Sequence, residues 1–178
     1  ADHHFIGEAE YTWPLFLEQW LKGEARATYR QEGHVDMRRS PCPDWSLIRP
    51  EDYLQVGIQT SRGCPNRCDF CDVVQYVGSA FRTKDDAQVL QEVAAAHALG
   101  FRGVTLSDDN FIGDRRRAKG LLSALGAWNA GQAEPVTFST QVTLQVADDE
   151  ELLRGMAAAP FRFLFLGLET LREAGLRE

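Results

Sequence analysis

The 178-residue chain carries 26 acidic against 19 basic side chains, a formal net charge of -7, and is 44% hydrophobic and 25% charged. That length holds one domain with a sizeable core, and the acidic balance argues against a broad nucleic-acid-binding face, which needs clustered Lys and Arg. No run approaches the roughly 20 apolar residues that span a bilayer, and none reads as a secretory leader, so a cytoplasmic location is expected.

The first predicted element lies in "YTWPLFLEQWLKG", where Trp13, Phe16, Leu17, Trp20 and Leu21 share one helical face. Thr12 stands as its N-cap, Pro14 is tolerated in the first turn and Gly23 ends it. Prolines 41, 43 and 50 then forbid regular structure and describe an extended connector. This separates an N-terminal helix and connector (1–50) from a main domain (51–178). Within the latter "YLQVGIQT" reads as a strand running into a cysteine-bearing loop. "TKDDAQVLQEVAAAHALG" is a helix opened by Thr83 with Asp86, closed by Gly100, with Val89, Leu90, Val93, Ala94 and His97 on one face. "FRGVTLSDDN" is the second strand. The helix "DRRRAKGLLSALGAWNAG" turns Leu121, Leu122, Leu125 and Trp128 inward, with Arg115, Arg116 and Arg117 on a solvated face. "PVTFSTQVTL" is the third strand, "DDEELLRGMAAA" a helix stopped by Pro160, and "FRFLFLGLET" a nearly all-apolar fourth strand of the kind buried on both faces.

Four βα units in series predict an α/β fold with about four parallel strands, right-handed crossovers and outer helices. In such sheets chemistry gathers at the carboxyl ends of the strands. The cysteine loop, "SDDN", "STQ" and "GLET" all fall there. The chain opens on Ala1 and stops at "LREAGLRE", where another helix should form, leaving the last strand with an open edge. A fragment of a longer protein is expected.

"RGCPNRCDFCD" crowds Cys64, Cys68 and Cys71 into a C-x3-C-x2-C run, with Cys42 outside it between two prolines. Without a leader, the set reads as reduced and metal-binding rather than disulfide-bonded. Thiolates select zinc, copper(I) or iron–sulfur clusters. Structural zinc wants four ligands, usually from paired C-x2-C knuckles, and an electron-transfer 4Fe-4S centre wants four cysteines. The remaining alternative is a cubane held by three cysteines, with one iron open to a substrate.

"CPNRCDFC", with an aromatic residue just before the last cysteine, resembles the signature of the radical S-adenosylmethionine (radical SAM) superfamily. "GEAEYTW", "PDWSLI", "QTSRGCPNRCDFCD", "DDNFIG", "VADDEELL" and "FLGLET" are similar to successive motifs of its cobalamin-binding branch, which includes the hopanoid methylases, over nearly the whole chain from Asp2. The resemblance implies a partial (βα) barrel, truncated at its C-terminus, behind the tail end of a cobalamin-binding domain. It implies a 4Fe-4S cluster on Cys64, Cys68 and Cys71, with S-adenosylmethionine chelating the fourth iron and being cleaved reductively to a 5'-deoxyadenosyl radical. In that branch cobalamin then serves methyl transfer to an unactivated carbon, such as one of a lipid. A small-molecule or lipid substrate and a reducing partner such as flavodoxin or ferredoxin are implied. The competing function is an electron-transfer or scaffold module that merely houses a cluster.

Further site residues follow from position. Phe70 stands where the family keeps an aromatic residue beside the adenine. Asp108, Asp109 and Asn110 occupy the place of a Gly-Gly-Glu motif, where a carboxylate would hold the methionyl ammonium, unless Asp109, Asn110 or Asp114 caps the next helix. Glu169 resembles a strand-four polar residue near the ribose, and Thr140 and Gln141 are candidates for lining the pocket. Arg62, Arg82 and Lys84 read as cluster-neutralising cations or as ordinary ion-pair partners, and Gly63 and Gly78 as tight-turn glycines bracketing the loop. Cys42 is read as an incidental thiol, and His3, His4 and His97 as non-ligands.

Overall fold

The structure, a computed structural model, describes residues 2–172; the helix expected beyond Leu171 lies largely outside them. The chain begins with a small βαβ unit, β1 (His4–Ile6), α1 (Thr12–Leu21) and β2 (Thr28–Arg30), whose strands pair in parallel. The unit is held by rings: Phe5 stacks on Tyr29 at 5.4 Å, and Phe16 meets Tyr29 edge-on at 5.5 Å. The amphipathic reading of α1 needs correction. Only Thr12 and Phe16 are buried, while Trp13, Leu17, Trp20 and Leu21 are exposed. Two three-residue strands offer too little surface to cover a full helical face. Thr12 is the first helical residue rather than the cap, which is Tyr11.

The connector has no strand or α-helix after β2, only single 3-10 turns at Met37–Arg39, Trp45–Leu47 and Pro50–Asp52. The main body then alternates as read from periodicity: β3 (Val56–Ile58), a short antiparallel pair β4 (Ser61–Arg62) and β5 (Arg82–Thr83) enclosing α2 (Val73–Val77), α3 (Asp86–Ala98), β6 (Gly103–Leu106), α4 (Arg115–Ala130), β7 (Thr137–Val142), α5 (Glu150–Ala158) and β8 (Phe161–Leu166). Strands β3, β6, β7 and β8 form one parallel sheet in that order, each beside its successor as serial βα units require. Ile58, Leu106 and Phe138 on the sheet meet Val89, Val93, Leu121, Leu122, Leu125 and Leu152 from the helices, all at 0–1% exposure. Each contributes roughly 1.5–3 kcal/mol by leaving water. Asp114 caps α4 by accepting from the Arg117 amide at 3.0 Å, and Asp149 caps α5 through the Leu152 amide at 3.1 Å.

Three local expectations change. Thr83 lies in β5, and α3 starts after Asp85. Arg117 does not share the solvated face of Arg115 and Arg116; it turns inward, its Nη1 donating to Thr60 Oγ1 at 2.8 Å and its Nη2 to Thr60 O at 3.2 Å. Strand β8 is not buried on both faces: Phe163 and Phe165 are 69% and 68% exposed. Among the described residues its only sheet neighbour is β7, and an irregularity opposite Phe138/Ser139 shifts the register, so that Ser139 pairs with Phe163.

Candidate functional site

The cysteine loop leaves β4 and returns on β5, with Ser61 opposite Thr83 and Arg62 opposite Arg82. Both bracketing glycines are required. Gly63 and Gly78 have φ of +93° and +81°, and a Cβ on Gly63 would run into the Ala80 carbonyl while one on Gly78 would lie 2.9 Å from His34 Nε2. Inside the loop the Cys71 amide donates to the Cys68 carbonyl at 3.0 Å, a turn that leads into α2. All three thiols are free. Cys64 and Cys71 line a cavity of about 550 Å³ at the carboxyl ends of the parallel strands. Cys68 is exposed and borders a second groove together with Cys71.

Beyond the cysteines, the cavity is lined by Ser107, Asp108 and Asp109 following β6, by Ser139, Thr140 and Gln141 of β7, and by Phe163 and Phe165 of β8. Its wall has a polar side: Thr105 Oγ1 donates to Gln55 Oε1 at 2.5 Å and lies 2.8 Å from Ser139 Oγ, which donates to Gln55 at 3.0 Å. The Thr140 hydroxyl, buried, donates to Leu106 O at 3.0 Å.

The two aspartates separate in role. Asp108 is buried and accepts three hydrogen bonds: from the amides of Thr60 (2.6 Å) and Ser61 (2.8 Å) on Oδ1, and from the Thr60 hydroxyl (2.5 Å) on Oδ2. Burial pushes its carboxyl up, against the pull of those donors. It is occupied in tying the entry of the cysteine loop to the end of β6. Asp109, half-buried, accepts from the Gly63 amide through Oδ2 at 3.1 Å; among the described residues its Oδ1 accepts nothing. Asn110 is buried, and its Oδ1 has no hydrogen-bond partner. Burial pushes the Cys64 thiol up, while the Asn66 amide and Asn110 oppose the rise.

Phe70 and Glu169 stand outside the cavity lining. Phe70 is 69% exposed. Glu169 is exposed beyond β8 at φ +48°. The three cations near the loop are ion-pair partners. Arg62 reaches Glu8 (2.8 Å) and Glu10 (2.7 Å), Arg82 reaches Glu8 (2.7 Å), and the buried Lys84 donates to both oxygens of Glu92 at 2.6 and 2.8 Å. Burial pushes the Glu8 carboxyl up, but the Arg82 hydrogen bond, the Val35 amide and the charges of Arg82 and Arg62 outweigh it and hold the pKa down at about 2. Glu8, Thr60 and Arg117 were not legible as site residues; the only signal was "GEAE", whose acidic pair has no local partner. Cys42 is exposed in a separate groove with Gln88 and Arg38.

The donor set fits a multi-iron cluster. Among the described residues no three His, Cys, Asp or Glu side chains gather tightly enough for a single ion. Three soft sulfurs on one short loop, two of them lining the cavity, are the donor type that iron–sulfur clusters take.

The family model described as the radical SAM superfamily matches residues 58–178. An uncharacterized methyltransferase of Synechocystis sp. is 38% identical over 99% of this chain and 33% of its own length. The hopanoid C-2 methylase of Rhodopseudomonas palustris is 35% identical over 82% of this chain and 28% of its own. The chain thus spans about a third of the length of these relatives. The structure of the cobalamin-dependent S-adenosylmethionine radical enzyme OxsB, solved with aqua-cobalamin and S-adenosylmethionine bound, superimposes with a TM-score of 0.74 at 18% identity, covering 96% of this chain and 28% of that one. No described helix is long and apolar enough to cross a membrane.

Proposed function

The chain belongs to the radical SAM superfamily, and we propose that it forms the cofactor-binding part of an enzyme that cleaves S-adenosylmethionine reductively, within a parent protein that methylates an unactivated carbon with the help of cobalamin. The observation that carries this is the meeting of Cys64 and Cys71 with Asp109 and Thr140 around one cavity at the carboxyl ends of the strands. Cys64, Cys68 and Cys71 would hold a 4Fe-4S cluster. When bound, such a cluster supplies one electron to the sulfonium of S-adenosylmethionine and so yields a 5'-deoxyadenosyl radical.

The chain's own residues have separable tasks in this reading. Asp109 offers a carboxylate oxygen to the methionyl ammonium, the charge-assisted contact that Asp108, already accepting three hydrogen bonds, is poorly placed to make. Asn110 keeps a buried, unpartnered amide oxygen next to Asp109 in sequence, available to the bound cofactor. Thr140 and Gln141 present polar groups to the bound nucleoside, and Phe163 and Phe165 on the neighbouring strand keep the adjoining wall apolar. An adenine contact near Phe70 and a ribose contact from Glu169 rest on the family resemblance alone, because both side chains stand outside the cavity lining.

Cobalamin enters from the relatives, and no residue here is assigned to it. Residues 1–50 are proposed to end a cobalamin-binding domain, with 51–178 as the radical SAM core. A cytoplasmic setting, an electron donor such as flavodoxin or ferredoxin, a lipid or other small-molecule substrate, and no nucleic-acid partner complete the reading. The test is anaerobic reconstitution with iron and sulfide, then S-adenosylmethionine and dithionite. 5'-Deoxyadenosine is expected; a loaded cluster that yields none, and whose spectrum ignores S-adenosylmethionine, would leave an electron-transfer or scaffold module instead.

A further inference from the structure

Arg62 and Arg82 face each other across the two-residue ladder that closes the cysteine loop. Like charges directly opposed on antiparallel strands push the strands apart, and at 15% side-chain exposure each, water screens this pair weakly. Between them stands a carboxylate from a distant part of the chain. Glu8, its side chain 8% exposed, follows β1 in the N-terminal βαβ unit. Its Oε2 accepts from Arg62 Nη1 at 2.8 Å and Arg82 Nη1 at 2.9 Å, and its Oε1 lies 2.7 Å from Arg82 Nη2. The Val35 amide donates to Oε2 at 3.0 Å, and His34 Nδ1 lies 3.3 Å from Oε1.

Both guanidinium groups reach onward. Arg82 donates to the Val77 carbonyl at 2.9 Å, at the end of the helix inside the loop, and to the Val35 carbonyl at 3.0 Å. Arg62 binds Gln59 at 2.8 Å and Glu10 at 2.7 Å. His34 packs on the loop's closing glycine, Gly78. The N-terminal unit therefore touches both strands of the loop's base through Glu8 and Glu10, while the connector's Val35 and His34 join the same carboxylate and His34 also meets the loop's last turn at Gly78.

We propose that Glu8 is the positioning residue of the cysteine loop: by bridging Arg62 and Arg82 it turns a repulsive cross-strand pair into a brace, through which the N-terminal unit sets the spacing of the three thiolates. The proposal rests on the reading that Cys64, Cys68 and Cys71 hold a cluster. It makes the small βαβ unit part of the cofactor site although none of its atoms reaches the cavity lining. Supporting partners of this kind govern metal retention without touching metal.

The test uses the full chain, reconstituted anaerobically, as wild type, Glu8→Gln and Glu8→Asp, with Leu152→Ala on the distant α5 as a stability-lowering control. Iron and sulfide content, the rate at which a ferrous chelator strips iron, and the electron paramagnetic resonance spectrum of the reduced cluster are measured beside thermal unfolding. Glu8→Gln is expected to release iron about tenfold faster than wild type and to alter the reduced-cluster spectrum, with Glu8→Asp, which keeps the charge on a shorter arm, in between. Glu8→Asp is compared with wild type by the same criteria if Glu8→Gln does not fold. Release no faster than in Leu152→Ala, with an unchanged spectrum, overturns the brace. A wild-type chain that takes up no iron overturns the cofactor reading beneath it.

Discussion

Asp108 accepts both the amide and the hydroxyl of Thr60, at 2.6 and 2.5 Å, across 48 positions of sequence, and so fastens the start of the cysteine loop to the end of β6. Removing the acceptor strands buried donors on Thr60 and Ser61 and takes one of three carboxylates from around the inward-turned Arg117, which keeps Asp86 and Asp114. Asp108→Ala is therefore expected to cost about 3 kcal/mol in denaturant unfolding. Asp108→Asn, which keeps an oxygen for the two amides, should cost clearly less.

Lys84 and Glu92 form a second closed pair, at 5% and 0% side-chain exposure. Lys84→Met leaves a buried carboxylate without its cation, and a loss of about 3–5 kcal/mol is expected. Burial already pushes Glu92 up despite the lysine, and without the lysine that push is unopposed. Lys84→Met with Glu92→Leu, which removes both charges, should recover most of the loss in a double-mutant cycle.

The Glu8 carboxyl sits at about 2 against an ordinary 4.5. Because the folded value is depressed, its contribution is complete above the unfolded value and disappears as pH falls through the folded one. The stability difference between wild type and Glu8→Gln should accordingly be flat above pH 5, shrink between about 4.5 and 2, and level off below. The pH-dependent part is on the order of 2–3 kcal/mol, read from denaturant unfolding at a series of pH values. A difference independent of pH over that window would mean that the charge of Glu8 is not what matters.

If the proposed cluster is held as inferred, alanine at Cys64, Cys68 or Cys71 should each abolish the absorbance near ~400 nm and most of the bound iron after reconstitution, since each removes a thiolate ligand. Cys42→Ser, in its separate groove, should change neither. Asp109→Ala should retain iron but weaken the spectral response to S-adenosylmethionine by about tenfold in concentration, the cost of one charge-assisted hydrogen bond.

The serial βα order was legible because each helix after the loop keeps a 3.6-residue apolar period, and α4 and α5 also a capping acid, as with Leu121, Leu122 and Leu125 behind Asp114. The cysteine triplet was legible because its ligands are local. What escaped was set by distance along the chain. Two- and three-residue strands such as β4 and β1 carry no period to detect, and Glu8 finds its arginines 54 and 74 positions away. Arg117 reads as surface in any local window, yet Thr60 draws it inward. The apolar run of β8 was misjudged because alternation cannot distinguish a strand covered on both faces from one whose phenylalanines front a cavity. For the two aspartates, neighbouring and chemically identical, only the count of donors around each tells anchor from free carboxylate.

The ladder joining Ser61–Arg62 to Arg82–Thr83 has one more implication. It ties both ends of the loop to each other independently of what the sulfurs hold, so most of the entropy lost in gathering the thiols is already spent when the hairpin forms. Iron should then leave and return without the chain melting, in contrast to small zinc modules that collapse when stripped.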